Sequence, residues 1–332
     1  MIHRLITALT VACFATASFA ATADEMRAKA SAFFQPLPDR MPGSEKDTPE
    51  LVRLGERLFH EKNLSMNRTQ SCNSCHQVDP GRGGVDNEPT SPGAFGKRGG
   101  RNSPTVLNAG FHLAQFWDGR AATLEDQAKG PVMNPTEMAM PSEAEVVKRL
   151  GSDETYVAMF KAAFPGNAAP LSYDNYAKAV AAFERTLITR DRFDDFLKGD
   201  NNALTAAELK GLDTFISTGC IACHNGPLIG AGMFQKIGIA NPYANSKDLG
   251  RFEITKNEND KLFFKVPSLR NIALTGPYFH DGSVSSLDEA VKNVAWLQLG
   301  KKLTDEEVKS IVAFLHTLSD KTRAAAKRTA AN

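Results

Sequence analysis

Two five-residue runs, Cys72-Asn73-Ser74-Cys75-His76 and Cys220-Ile221-Ala222-Cys223-His224, constrain this 332-residue chain more than any other feature in it. Two residues between the cysteines let both sulfurs reach one edge of a porphyrin, and the adjoining histidine is delivered to an iron on one face. With 5 Cys and 7 His, the composition yields one such pattern by chance roughly 0.0016 times. Two copies therefore outweigh the alternatives of a thioredoxin-like redox pair, half a zinc site or a disulfide. The runs predict two covalently bound c-type haems, attached through Cys72, Cys75, Cys220 and Cys223, with His76 and His224 as iron ligands.

The chain opens with Arg4, an apolar stretch from Leu5 to Phe19 and small residues up to Ala23. This reads as a secretory signal peptide over residues 1–23, which predicts export to the periplasm. The apolar run is short for a membrane span and is followed at once by Asp24, Glu25, Arg27 and Lys29, so no stable membrane insertion is expected. Removing the segment takes away Arg4 and no acid, so Lys plus Arg falls from 39 to 38 against 38 acids. A net charge of zero carries no signal for nucleic acid or another polyanion. Cys13 leaves with the segment, and the haem runs use the other four cysteines, so no structural disulfide is expected.

The two runs lie 148 positions apart, room for two domains. Each is preceded by an amphipathic helix. Thr48 caps the first, with Pro49 in its first turn and Leu51, Leu54, Leu58 and Phe59 on one face; Thr205 caps the second, with Leu209, Leu212, Phe215 and Ile216. Each half also closes with a helix, Tyr173 to about Leu187 and Thr304 to Leu318, where Thr304 and Glu307 form a capping box. Further helix starts are expected at Thr123, Ser142 and Ser286. Strand-like alternation is scarce apart from a ribbon around residues 252–266. The expected fold is mainly α, two tandem cytochrome c-like domains over residues 24–200 and 201–332, joined near Lys198 to Asn202. The most loop-like stretch is 81–101, with seven glycines and two prolines.

The segment between the haem runs carries Arg101-Asn-Ser-Pro-Thr-Val-Leu-Asn108, Gln115-Phe-Trp-Asp-Gly-Arg120, Gln127-Ala-Lys-Gly-Pro131 and Glu137-Met138. Later come Val266-Pro-Ser-Leu-Arg-Asn271 and Pro277-Tyr-Phe-His-Asp-Gly282. In this order, across about residues 48–318, they resemble the bacterial di-haem cytochrome c peroxidases and the related enzymes that mature methylamine dehydrogenase. The resemblance implies a hydrogen-peroxide-dependent oxidoreductase whose N-terminal haem meets peroxide. Its C-terminal haem would receive electrons from a small cytochrome c or blue-copper protein. It implies Glu137 as distal carboxylate, Gln127 as distal amide and Trp117 as the aromatic between the haems. Asn102, Thr275 and Pro277 match positions that bind a calcium ion, and a homodimer is implied as well. His280 is expected to hydrogen-bond a haem propionate, with Arg270 as its ionic companion. A carboxylate suits Glu137's place, because one peroxide proton must move from the near to the far oxygen. Related readings are peroxide-dependent oxidation of a partner protein's aromatic residue and a pure di-haem electron carrier.

Two departures from the family concern the irons. Ala94 stands where the peroxidases carry a loop histidine, and no histidine occurs between His76 and His112. Val294 stands where the C-terminal haem usually finds a methionine. A vacant position, Met233, Tyr243, Lys292 or water near Trp296 are the alternatives there. His112, His60 and His316 are expected to be surface or packing residues, and the basic tail from Lys321 to Arg328 a solvated end.

Overall fold

The computed structural model describes residues 22–331, and most of the predicted signal peptide lies outside that range. Among the described residues there are thirteen α-helices and one two-stranded sheet. No helix among them is long and apolar enough to cross a membrane.

Six helices frame the site: α1 (Pro49–Phe59), α2 (Leu124–Met133), α3 (Tyr173–Glu184), α4 (Ala206–Thr218), α5 (Leu287–Leu299) and α6 (Asp305–His316). They begin where the caps predict. Thr48, Thr123, Thr205, Ser286 and Thr304 each accept a hydrogen bond from a backbone N–H in the first turn, and Thr205 with Glu208 and Thr304 with Glu307 close full capping boxes.

The internal repeat is a helix crossing built twice. A Cβ on Gly55 of α1 would sit 1.8 Å from the carbonyl oxygen of Ala179 on α3, and one on Gly211 of α4 would sit 2.0 Å from that of Ser310 on α6. One turn further on, Phe59 meets Phe183 with ring centroids 5.2 Å apart, and Phe215 meets Phe314 at 5.4 Å. In both halves a glycine lets two backbones touch, and an aromatic pair four residues later fills the widening gap. Gly55→Ala is therefore expected to lower unfolding stability by about 1–3 kcal/mol, the usual cost of overpacking. Denaturant unfolding of the holoprotein checks this, and an unchanged midpoint would mean that the crossing yields without cost.

Each crossing anchors its own hydrophobic core. The first gathers Leu54, Leu58, Phe59, Tyr176 and Phe183; the second gathers Leu212, Phe215, Ile311, Phe314 and Leu318. Met26, Ala30 and Phe34 from the start of the described chain also join the second core, as do Phe193 and Phe196. Apolar side chains thus enter the second core from both sides of the expected boundary near 200.

Two expectations are corrected. Residues 252–266 do not form a ribbon among themselves. Phe263–Lys265 pairs antiparallel with Phe234–Lys236, and Phe252–Thr255 is a helical turn. Strands of three residues are too short to show alternation, so the distant partner left no pattern to read. The basic tail is corrected in part: it forms a helix, Lys321–Ala331, on which Lys321, Lys327 and Arg328 are exposed as expected, but Arg323 Nη1 donates to the carbonyls of Val78 (2.9 Å), Asp79 (3.2 Å) and Arg82 (3.0 Å). Three carbonyls converging in the turn after the first haem run make a site for a guanidinium.

Candidate active site

Both cysteine-histidine runs fold as one tight turn. The His76 backbone N–H donates to Cys72 O at 2.9 Å, and that of His224 to Cys220 O at 3.0 Å. Nδ1 of His76 lies 3.0 Å from Pro104 O, and Nδ1 of His224 lies 3.1 Å from Ile229 O. A carbonyl can only accept, so each Nδ1 carries the proton and each Nε2 keeps a free lone pair. Burial holds His76 below the ordinary histidine range and His224 down to about 4, so both rings are neutral, the form that binds a metal. No disulfide joins any two of these four cysteines, which leaves all of them to the haem runs.

Each run opens into a cavity. The first, about 830 Å³, is lined by Cys72, Cys75 and His76 together with Gln127 and Glu137. The second, about 260 Å³, is lined by Cys220, Cys223 and His224 and by the apolar face of α5. Two thiols and an oriented imidazole nitrogen beside a cavity are the donor set that covalent haem needs, so the residues fit that group in both places.

In the first cavity Gln127, Ala128, Pro131 and Val132 belong to one stripe of α2. Glu137 follows on a loop folded back over the end of that helix. Asn134 Oδ1 accepts from the backbone N–H of Thr136 (3.0 Å) and from Thr136 Oγ1 (2.9 Å), which orients its amide so that Nδ2 donates to Glu137 Oε1 at 2.6 Å. Burial raises the Glu137 pKa, while the Asn134 hydrogen bond and the Arg120 charge oppose the rise. Asn134 was missed by the sequence reading, although Asn-Pro-Thr-Glu is an Asx-turn signature. Glu184 was missed too: a carboxyl on the apolar side of α3 that lines this cavity and is pushed by burial up to about 8. A lone acid in the run Ala-Val-Ala-Ala-Phe-Glu was the signal.

Ala94 is buried beside Glu137, its backbone N–H donating to Glu137 O at 2.7 Å while Asn67 Nδ2 donates to Ala94 O. The glycine before it is needed there, because a Cβ on Gly93 would fall 2.1 Å from Thr136 O. Among the residues lining this cavity, His76 is the one histidine.

Residues 102–105 and Trp117 line both cavities and form the wall between them. Trp117 is fixed at two points: its Nε1 donates to Asn102 O at 2.8 Å, and its own carbonyl accepts from the Lys265 backbone N–H at 2.7 Å. Its ring packs edge-on against His280, with centroids 6.4 Å apart. Asn102, Thr275 and Pro277 all line the second cavity, and Asn102 Nδ2 donates to Glu88 O at 3.0 Å.

Val294 lines the second cavity beside Leu287, Ala290, Val291 and Leu297. The side chains considered in its stead are engaged elsewhere. Tyr243 OH bonds the Asp281 carboxylate at 3.0 Å, Lys292 Nζ bonds Asp305 at 2.7 Å, Met233 does not line the cavity, and Trp296 is 40% exposed beneath Lys302. His280 is buried with Nε2 unpartnered and stacks on Phe264 at 4.1 Å. Arg270 is not its companion: fully buried, it is held by Asp191 (2.5 Å) and Asp194 (2.8 Å), because an unpaired guanidinium could not be buried there.

The family model described as di-haem cytochrome c peroxidase matches residues 49–202. The chain is 46% identical to the cytochrome c551 peroxidase of Pseudomonas aeruginosa over 312 residues, covering 91% of this chain and 88% of that one. It is 33% identical to the methylamine utilization protein MauG of Methylorubrum extorquens, covering 92% and 88% respectively. The crystal structure of a MauG-like protein associated with microbial copper homeostasis superposes with a TM-score of 0.78 at 31% identity, over 88% of this chain and 96% of that one. Twin cysteine-histidine runs, each beside a cavity, and relatives alike over nearly their whole length agree: the chain belongs to the di-haem cytochrome c peroxidase family.

Proposed function

We propose that the protein reduces hydrogen peroxide to water in the cavity of His76, with electrons that a small cytochrome c or blue-copper protein delivers at the cavity of His224. The observation that carries this reading is Glu137, a half-buried carboxylate with raised proton affinity, held by Asn134 in the same cavity as the free Nε2 of His76. When bound, the haem supplies the redox-active iron at which the O–O bond is broken. The chain's residues supply the proton handling. Glu137 takes a proton from the near oxygen and returns it to the far one, Gln127 orients the peroxide with its amide, and His76, kept neutral by burial, is oriented by Pro104 O. Trp117, clamped in the wall common to both cavities, is the group best placed to relay electrons between them.

The same reading makes each hydrophobic core a cytochrome c-like haem domain, and it takes the opening segment as an export signal to the periplasm. Asn102, Thr275 and Pro277 would hold one calcium ion between the domains. The amide nitrogen of Asn102 is bonded to Glu88 O, so its carbonyl oxygen is the atom available to a hard cation.

A second reading has one observation behind it. The wall at Val294 offers no thioether, the ligand that suits a donor-fed haem, and this favours oxidation of a partner protein's aromatic residue. Steady-state assay of the holoprotein with peroxide and a reduced small c-type cytochrome decides between them. Fast donor oxidation supports the peroxidase, peroxide consumption without it supports the second reading, and inertness leaves an electron carrier.

A further inference from the structure

The second cavity has a polar corner that the peroxide reaction leaves unused. Lys265, 4% exposed, donates through Nζ to Ala114 O at 2.6 Å and lies 3.1 Å from His112 Nδ1. An ammonium has no lone pair, so Nδ1 accepts and the ring proton of His112 resides on Nε2. That Nε2 is closed off from water and has no protein partner, and both residues line the cavity together with His224. Burial and the Lys265 charge keep His112 neutral; burial brings Lys265 down to about 8, which the Asp118 charge resists, so it is still cationic at neutral pH. A buried N–H left unpaired is costly, and it therefore marks a place where an acceptor belongs.

A c-type haem carries two carboxylates. We propose that His112, oriented by Lys265, holds a carboxylate of the C-terminal haem, and that this pair raises the reduction potential of that haem. The inference rests on the reading that the His224 cavity holds haem. A cation close to a haem favours the reduced state, which carries one positive charge fewer, and His112 transmits that preference through a directed hydrogen bond. The pair so compensates in part for the thioether missing at Val294. Because Lys265 also clamps the Trp117 carbonyl, it ties this corner to the wall between the two cavities.

The test is spectroelectrochemical titration of His112→Leu, His112→Asn and Lys265→Met holoproteins, with haem counted per chain by pyridine haemochrome. In the Leu and Met variants the reduction equilibrium constant of the C-terminal haem is expected to fall about tenfold, about 59 mV for one electron, while the N-terminal haem moves far less. His112→Asn, which keeps an N–H donor, should recover more than half of the loss. Two haems per chain with unchanged potentials in both Leu and Met variants, or equal shifts at both haems, would overturn the proposal. Fewer than two haems in the wild-type chain would instead overturn the reading on which it rests.

Discussion

Glu137→Gln is expected to leave both haems attached and to slow the reaction with hydrogen peroxide by about 10² to 10⁴, the usual share of one general acid–base group. Glutamine keeps the size of the side chain and can still meet Asn134 across 2.6 Å, but it cannot take up a proton. The substitution therefore separates proton transfer from packing. The pH dependence follows from the direction of the Glu137 shift. Burial raises its pKa, so on acidification the base form is lost above the ordinary carboxylate range, and the wild-type rate should fall there. In the glutamine variant that acid limb should vanish and leave a low, flat profile. Stopped-flow mixing of peroxide with the oxidised holoprotein across pH reads both effects, and unchanged kinetics would remove Glu137 from the mechanism.

What could be read in the chain was what depends on near neighbours. The haem runs, the threonine and serine caps and the paired helices before them are set by residues three to five apart, and they appear where the spacing puts them. The tight contacts of Gly55 with Ala179 and of Gly211 with Ser310 were invisible, because a glycine in a helix looks like a weak helix former until its partner is known. The same limit hid the Arg270 cluster with Asp191 and Asp194, the reach of Arg323 to the 78–82 turn and the pairing of Lys265 with His112. In each, a charge or ring is explained by a residue at least 76 positions away.

The candidate site divides in the same way. Glu137 and Gln127 were nominated by resemblance, and the structure brings both to the cavity of His76. The Asn134 turn that aims Glu137 was written in four consecutive residues and could have been found. Trp117 was nominated by resemblance as the aromatic between the haems, but that residues 102–105 share its wall, with a face to each cavity, follows from how the two cores are docked and could not be read.

Fully oxidised protein that has never met a reductant is expected to react with peroxide at a rate within about threefold of protein whose C-terminal haem has been reduced first. A loop histidine that occupied the iron in 99% of molecules would cut the rate in the oxidised state by about 10², and reduction would restore it. Ala94 offers only a methyl group. The loop around it is also tied down in the arrangement that leaves the cavity to His76, Gln127 and Glu137. Ala94 N–H is bonded to Glu137 O, Gly93 lies against the Thr136 carbonyl, and Gly93 N–H donates to Lys97 O at 2.8 Å. No neighbouring position of the loop can take the part of that histidine, because no histidine lies between 77 and 111. His112, the nearest beyond, belongs to the other cavity, where Lys265 occupies its Nδ1. Paramagnetic resonance of the oxidised protein should therefore show a high-spin iron before any reductant is added. Two low-spin irons, with peroxide reactivity appearing only after one-electron reduction, would show that another group closes the site.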